Sequence, residues 1–177
     1  MTIHAFKGIY PTISDSAFIH PDATVIGDVH IGDHSSVWPG VVIRGDVHKI
    51  RIGNRTNIQD GSILHVSRPT PHAPQGSPLI IGNSVTIAHH VVLHGCTLKD
   101  GAMIGMGAIV MDDVVVGRDA LIAAGAMVTP GKSVEERTLW LGSPARFKKQ
   151  LDDQMVQRNR ATNENYVVLA QSHAQEL

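Results

Sequence analysis

The stretch from Ile19 to Ile43, IHPDATVIGDVHIGDHSSVWPGVVI, places an aliphatic residue at every sixth position: Ile19, Val25, Ile31, Val37 and Ile43. The interval continues through Ile52, Ile58 and Leu64, then Ile81, Ile87 and Leu93. After a slip of one residue it resumes at Leu98, Ile104, Val110, Val116, Ile122 and Val128, beyond which the period lapses. Glycine often follows the aliphatic residue, as at Ile31-Gly32, Ile52-Gly53 and Ile104-Gly105, and a Ser, Thr, Ala or Val often sits four places on. An ordinary β-sandwich would show alternation with period two inside strands and irregular turns between them. A period of six instead describes a triangular coil of three short strands, each with one inward aliphatic residue, joined at corners where a small residue spares the backbone a steric penalty.

This repeat resembles the hexapeptide-repeat family, whose fold is an all-β, left-handed parallel β-helix, a triangular prism. Assigning the faces in rotation turns the period into a coordinate system. Ile19, Val37, Ile58, Ile87, Ile104 and Ile122 fall on the first face, and Val25, Ile43, Leu64, Leu93, Val110 and Val128 on the second. Ile31, Ile52, Ile81, Leu98 and Val116 fall on the third. Two insertions interrupt the coils, about three residues near Val47 to Lys49 and a longer loop, Ser67 to Pro78, whose Pro69, Pro71, Pro74 and Pro78 no regular strand tolerates. The β-helix is expected over residues 1–145 with the inserted loop 67–78, and residues 146–177 are expected as a C-terminal α-helix, Asp152 to Ala174, packed along the prism.

Composition narrows the possible partners. Lys and Arg number 15 against 16 Asp and Glu, without a basic patch of the kind that nucleic acid or anionic lipid attracts. Neither is expected as a partner. No apolar run approaches the roughly 18 residues of a membrane span, and Met1 to Pro11 lacks a basic start and an apolar core. A cytoplasmic protein is expected. The single cysteine, Cys96, excludes an internal disulfide and reads as a small buried side chain rather than a nucleophile. Aromatic residues make up only 4%, which suits thin layers of Val, Ile, Leu and Ala.

The chain carries 11 histidines, and in a solenoid most are solvated surface residues; His4, His20, His30, His34, His48 and His173 read that way. His65 and His94 differ, because each directly follows an inward leucine, Leu64 or Leu93, on the second face. Stacked strands lie about 4.8 Å apart, so the two imidazoles can share one metal ion with nitrogen contacts of about 2.0–2.1 Å. His89 lies two residues after Ile87, and the corner between should point it away from the pair. A third imidazole could then come from an equivalent prism packed alongside, and three prisms around a threefold axis would give each interface one His65 and His94 pair and one His89. Three histidines with an open fourth position are the catalytic arrangement for zinc, and iron or cobalt also accepts imidazole. A histidine ladder without function is the plainer alternative. Arg44, Asp46, Gln59 and Asp60 gather polar groups near the histidines, able to orient ligands and hold a small anion, or, for Arg44 and Asp46, to form an intersubunit salt bridge.

These residues resemble the gamma-class carbonic anhydrases and their close bacterial relatives. The similarity is carried by Ile43-Arg44-Gly45-Asp46, by Asn57-Ile58-Gln59-Asp60-Gly61-Ser62 leading to His65, by Ala88-His89-His90-Val91-Val92-Leu93-His94-Gly95-Cys96, and by Gly105-Met106-Gly107-Ala108 and Leu141-Gly142-Ser143-Pro144-Ala145. The resemblance implies a homotrimer with metal sites at subunit interfaces, His65 and His94 from one subunit and His89 from the next. It implies a carbonate dehydratase-type lyase, hydrating carbon dioxide reversibly to bicarbonate with hydroxide formed at the metal. By the same resemblance Arg44 and Asp46 support the interface and bicarbonate, Gln59 and Asp60 position the reacting oxygen and the ligand shell, and Tyr166 is the family's C-terminal tyrosine near the metal.

Two departures bear on turnover. The archetype has a glutamate directly after the aspartate of Arg-Gly-Asp and another in a loop after the first metal histidine, which export protons. Here Val47 takes the first place and the loop Ser67 to Pro78 holds no carboxylate. His72 in that loop could serve as a replacement or be ordinary loop polarity. The activated water could instead attack a thioester, as an acyl-CoA thioesterase, and a catalytically silent trimeric metal-binding protein is a further reading. An acyltransferase would need a single histidine as general base, leaving the other two surplus.

Overall fold

The computed structural model describes residues 2–176; Met1 and Leu177, the outermost residues of the two expected segments, lie outside them. The chain winds as a left-handed parallel β-helix, with one C-terminal helix, Asp153–Glu176, laid along it. Parallel pairing stacks the inward residues in three unbroken columns. On the first face Ile19 pairs with Val37, and Val37 with Ile58, followed by Ile87, Ile104 and Ile122. The second runs Val25, Ile43, Leu64, Leu93, Val110 and Val128, and the third Ile31, Ile52, Ile81, Leu98 and Val116. These are the columns read from the period. Beyond Ile19 every member is at most 2% exposed, and burying a side chain of this kind contributes about 1.5–3 kcal/mol.

The residues four places on line the corners. Val41, Val85, Val91, Ala102, Ala108, Val114, Ala120 and Ala126 are buried there, and the polar members Ser35, Thr56 and Ser62 bridge coils. Ser35 Oγ donates to the Gly53 carbonyl (2.7 Å), Thr56 Oγ1 to Gly82 (2.9 Å) and Ser62 Oγ to Ala88 (3.0 Å), while the same oxygens accept backbone N–H groups of Thr56, Val85 and Val91. Each buried hydroxyl is thereby satisfied.

The insertion near Val47 is a bulge inside one long strand, Val42–Ile52. Gly27 pairs with Gly45 and Val29 with Ile50, so the single residue Asp28 faces the four residues Asp46 to Lys49. The loop after His65 is cinched at its base by reciprocal backbone bonds between Ser67 and Ser77 and closes on a tight Thr70–Ala73 turn.

Two expectations at the C-terminal end need correction. The period does not lapse at Val128: Val134 stacks on Val116, and Trp140 on Ile122, each six residues further along. Intervening charged residues and a tryptophan in an aliphatic place obscured it. Nor does the helix take up all of residues 146–177, because the strand Ala145–Gln150 first folds back antiparallel on Thr138–Gly142. Asp152, expected as the first helical residue, is the cap instead, its Oδ1 accepting the Met155 N–H at 2.8 Å.

The helix buries Val156, Asn163, Val167 and Ala170 and lies against the strands Phe18–Ile19, Ser36–Val37 and Asn57–Ile58 of the first face. Asn163 Nδ2 donates to the Val85 carbonyl (3.3 Å), and ion pairs Arg55–Glu164 and Arg160–Asp119 tie it to the corners. His173, expected as a solvated residue, packs its ring edge-on against Trp38 at 5.1 Å. Truncating Ile87 at the centre of its column to alanine should cost about 2–5 kcal/mol, to be read as a lowered urea midpoint with an unchanged circular dichroism spectrum.

Candidate metal centre

His65 closes the strand Ile63–His65 and His94 closes Val92–His94, and the two are register partners in successive coils. Their rings meet edge to face with centroids 5.1 Å apart, and His65 Nδ1 lies 3.1 Å from His94 Nε2. Their other nitrogens are engaged. His65 Nε2 is 2.9 Å from Asp46 Oδ1, and His94 Nδ1 is 2.6 Å from Asp112 Oδ1. A carboxylate only accepts, so both of those nitrogens carry the proton. With both rings neutral, the nitrogens that face each other are both lone pairs, an arrangement that suits a shared metal ion or a single shared proton. Two nitrogens held at about 2.0–2.1 Å from one tetrahedral ion stand about 3.3–3.4 Å apart. The observed 3.1 Å fits a shared ion closely.

His89 sits at the corner between Thr86–Ile87 and Val92–His94, and its Nδ1 donates to Asp60 Oδ2 at 2.8 Å. Asp60 occupies the same corner one coil earlier. All three histidines thus donate one N–H to a carboxylate and keep the second nitrogen free, the pattern that fixes tautomer and ring direction in metal-binding imidazoles. Within one chain no hydrogen bond joins His89, Asp60 or Gln59 to the His65 and His94 pair, and among the described residues no group of three His, Cys, Asp or Glu side chains converges on one point. The donor set fits a metal on two counts and lacks a third ligand from the same chain.

Asp46 joins the pair to Arg44, whose guanidinium donates to Asp46 Oδ2 at 2.5 Å while Oδ1 serves His65. Burial alone would push this carboxyl up; the hydrogen bonds from His65 and Arg44, with the Arg44 charge, outweigh it and hold the group below the usual carboxylate range. Gln59 is buried, its amide donating to Asn57 Oδ1 at 2.9 Å, and Asn57 in turn donates to Thr86 Oγ1 at 3.0 Å. Tyr166 lies where the helix crosses this corner, its ring packed on Trp38 at 5.7 Å. Burial first and the Asp60 charge second push its phenol up. His72 occupies the exposed turn of the 67–78 loop. Cys96 is buried, and burial with the Asp112 charge pushes its thiol far up, so it stays neutral.

Asp112 was not anticipated from the sequence. It lies two residues after Val110, directly above Gly95 in the next coil, and Gly95 is what admits it: a Cβ there would stand 2.3 Å from Asp112 Oδ1, and φ is +50°. The signal was present in the periodic frame as an acidic residue stacked over a glycine beside a histidine.

The chain matches the family described as bacterial transferase hexapeptide (six repeats) over residues 10–45 and 95–130. It is 48% identical to Protein YrdA of Escherichia coli, over 93% of this chain and 90% of that protein. It is 46% identical to gamma carbonic anhydrase 1, mitochondrial, of Arabidopsis thaliana, over 94% of this chain and 60% of that protein. It is 43% identical to the carbonic anhydrase of Geobacillus kaustophilus, over 93% of this chain and 87% of that protein. The coil and its repeat therefore define a hexapeptide-repeat protein. More narrowly, the chain belongs to the gamma-class carbonic anhydrase family.

Because the Asp60 charge disfavours the phenolate, Asp60→Asn should shift the Tyr166 titration to lower pH while burial keeps it above the ordinary tyrosine value. Absorbance at 295 nm in a Tyr10→Phe background reads this one phenol, since the chain has only 2 tyrosines.

Proposed function

We propose that this protein is a metal-dependent, gamma-class carbonic anhydrase-like lyase that hydrates carbon dioxide reversibly to bicarbonate. The observation that carries the reading is the convergence of His65 Nδ1 and His94 Nε2 at 3.1 Å, each ring held by a carboxylate on its far nitrogen. His89 of a second subunit completes the ligand set in a cytoplasmic homotrimer, with Zn2+ the preferred ion and Fe2+ or Co2+ the alternatives. A zinc ion on three imidazoles supplies water acidified to a pKa of about 7.

The remaining roles belong to the chain's own residues. Asp46 holds the His65 N–H and is itself held by Arg44, whose half-exposed guanidinium retains donors for a bicarbonate oxygen. Asp60 orients His89, and Gln59 beside it, buried and bonded to Asn57, steadies the same corner. Trimer formation is favoured by apolar side chains beside the histidines. Ile63 and Met106 are 47% and 58% exposed in one chain, and Ile109 and Met111 are also exposed, a patch that water alone leaves unsatisfied. Val47 and the carboxylate-free loop favour slow proton export, so modest turnover is expected.

Protein purified without a histidine tag should sediment as a trimer with about one metal ion per chain and hydrate carbon dioxide in stopped flow. His89→Ala should abolish both metal retention and hydration while leaving the fold intact. Full hydration by that variant would refute the shared site. Bound metal with acyl-CoA hydrolysis and no hydration would assign the chain as a thioesterase instead, and bound metal with neither activity as a silent trimer.

A further inference from the structure

We infer that Asp112 is the positioning residue of His94 and that Ser67, at the root of the inserted loop, holds Asp112 in place. The inference rests on reading His94 as a metal ligand. Asp112 uses its two oxygens for two purposes: Oδ1 accepts the His94 Nδ1–H at 2.6 Å, and Oδ2 accepts the Ser67 hydroxyl at 2.8 Å. Ser67 is fixed in turn, because its backbone N–H donates to the Ser77 carbonyl (3.1 Å) and its carbonyl accepts from the Ser77 N–H (2.9 Å). The far end of the loop meets the same spot, since a Cβ on Gly95 would stand 2.6 Å from Ser77 Cβ. The loop base, Asp112 and His94 therefore form one connected unit.

The consequence is chemical. Neutral imidazole has two tautomers, and only one of them leaves Nε2 unprotonated toward His65. Asp112 selects that tautomer, as Asp46 does for His65 through the opposite nitrogen. The two rings present different nitrogens, Nδ1 from His65 and Nε2 from His94, so each needs its own carboxylate on its own side. Asp46 reaches from the coil below and Asp112 from the coil above. The second carboxylate is as necessary as the first, and the 67–78 loop acquires a role independent of its lost acidic residues: it braces a ligand.

Two measurements test this, one of which needs no metal. In apo-protein labelled with 15N-histidine, His94 should give the signals of an Nδ1-protonated, Nε2-free ring. Asp112→Ala should convert it to a mixture rich in the other tautomer, and Asp112→Asn, which keeps an acceptor oxygen, should largely preserve it. In chelator competition with Zn2+, Asp112→Ala should weaken binding by about 10–100-fold, and Ser67→Ala by less, each with the circular dichroism spectrum of the apo-protein unchanged. If Asp112→Ala fails to fold, Asp112→Leu, which keeps the volume and removes the acceptor, takes its place beside Ser67→Ala, and unchanged His94 signals with zinc affinity within twofold of wild type in the acceptor-free variant overturn the inference. A wild-type protein that takes up no zinc would instead overturn the metal reading, while the apo spectrum would still decide whether Asp112 sets the His94 tautomer.

Discussion

Backbone pairing between coils is the constraint on which the rest of this structure depends. Within the coils, strands bond in parallel to their equivalents in neighbouring turns, at a spacing of about 4.8 Å, and residues at the same offset are forced into vertical columns. The inward offset makes the aliphatic core, from Val25 to Val128 on the second face. The next offset makes Arg44, His65 and His94 a column of their own, because Ile43, Leu64 and Leu93 stack beneath them. No special packing has to bring the two imidazoles together. The same rule that buries leucine places two nitrogens 3.1 Å apart.

This is also why so much could be read without coordinates. The period fixed the three faces, the stacking of His65 on His94 and the separation of His89, since all three are statements about offset. The length of the bulge at Asp46 to Lys49 followed by counting against the period. What escaped reading was contact across offsets. Asp112 reaches His94 from a different offset and a different coil, through a gap left by a glycine, and periodicity says nothing about side-chain reach. The pairing of Ser67 with Asp112 needs the path of an irregular loop. At the end of the prism, Val134 and Trp140 keep the spacing, but charged neighbours in Glu135, Glu136 and Arg137 hid it.

Electrostatics around the two stacked rings have a consistent direction. Asp46 and Asp112 each take an N–H from an imidazole, which concentrates electron density on the nitrogens that face one another. Two such lone pairs at contact distance repel when both rings are neutral, and a shared cation removes the repulsion. Arg44 sits on the far side of Asp46, and so stabilises the carboxylate without supplying a cation between the rings. The arrangement therefore suits a positive charge at one point, one that Arg44, engaged with Asp46, does not supply.

Placing the third free imidazole at a corner rather than beside the other two has a thermodynamic consequence. His89 is held by Asp60, Asp60 lies beside Tyr166, and Tyr166 packs on Trp38 under the C-terminal helix. In the proposed trimer, the helix would brace the corner that reaches a neighbouring prism, while the 67–78 loop would brace the pair that receives it. An ion that touched both surfaces would stabilise the assembled state only, so by linkage metal affinity and subunit affinity would rise and fall together. Substitution of Trp38 under the helix would then be felt at the metal through Tyr166, Asp60 and the position of His89.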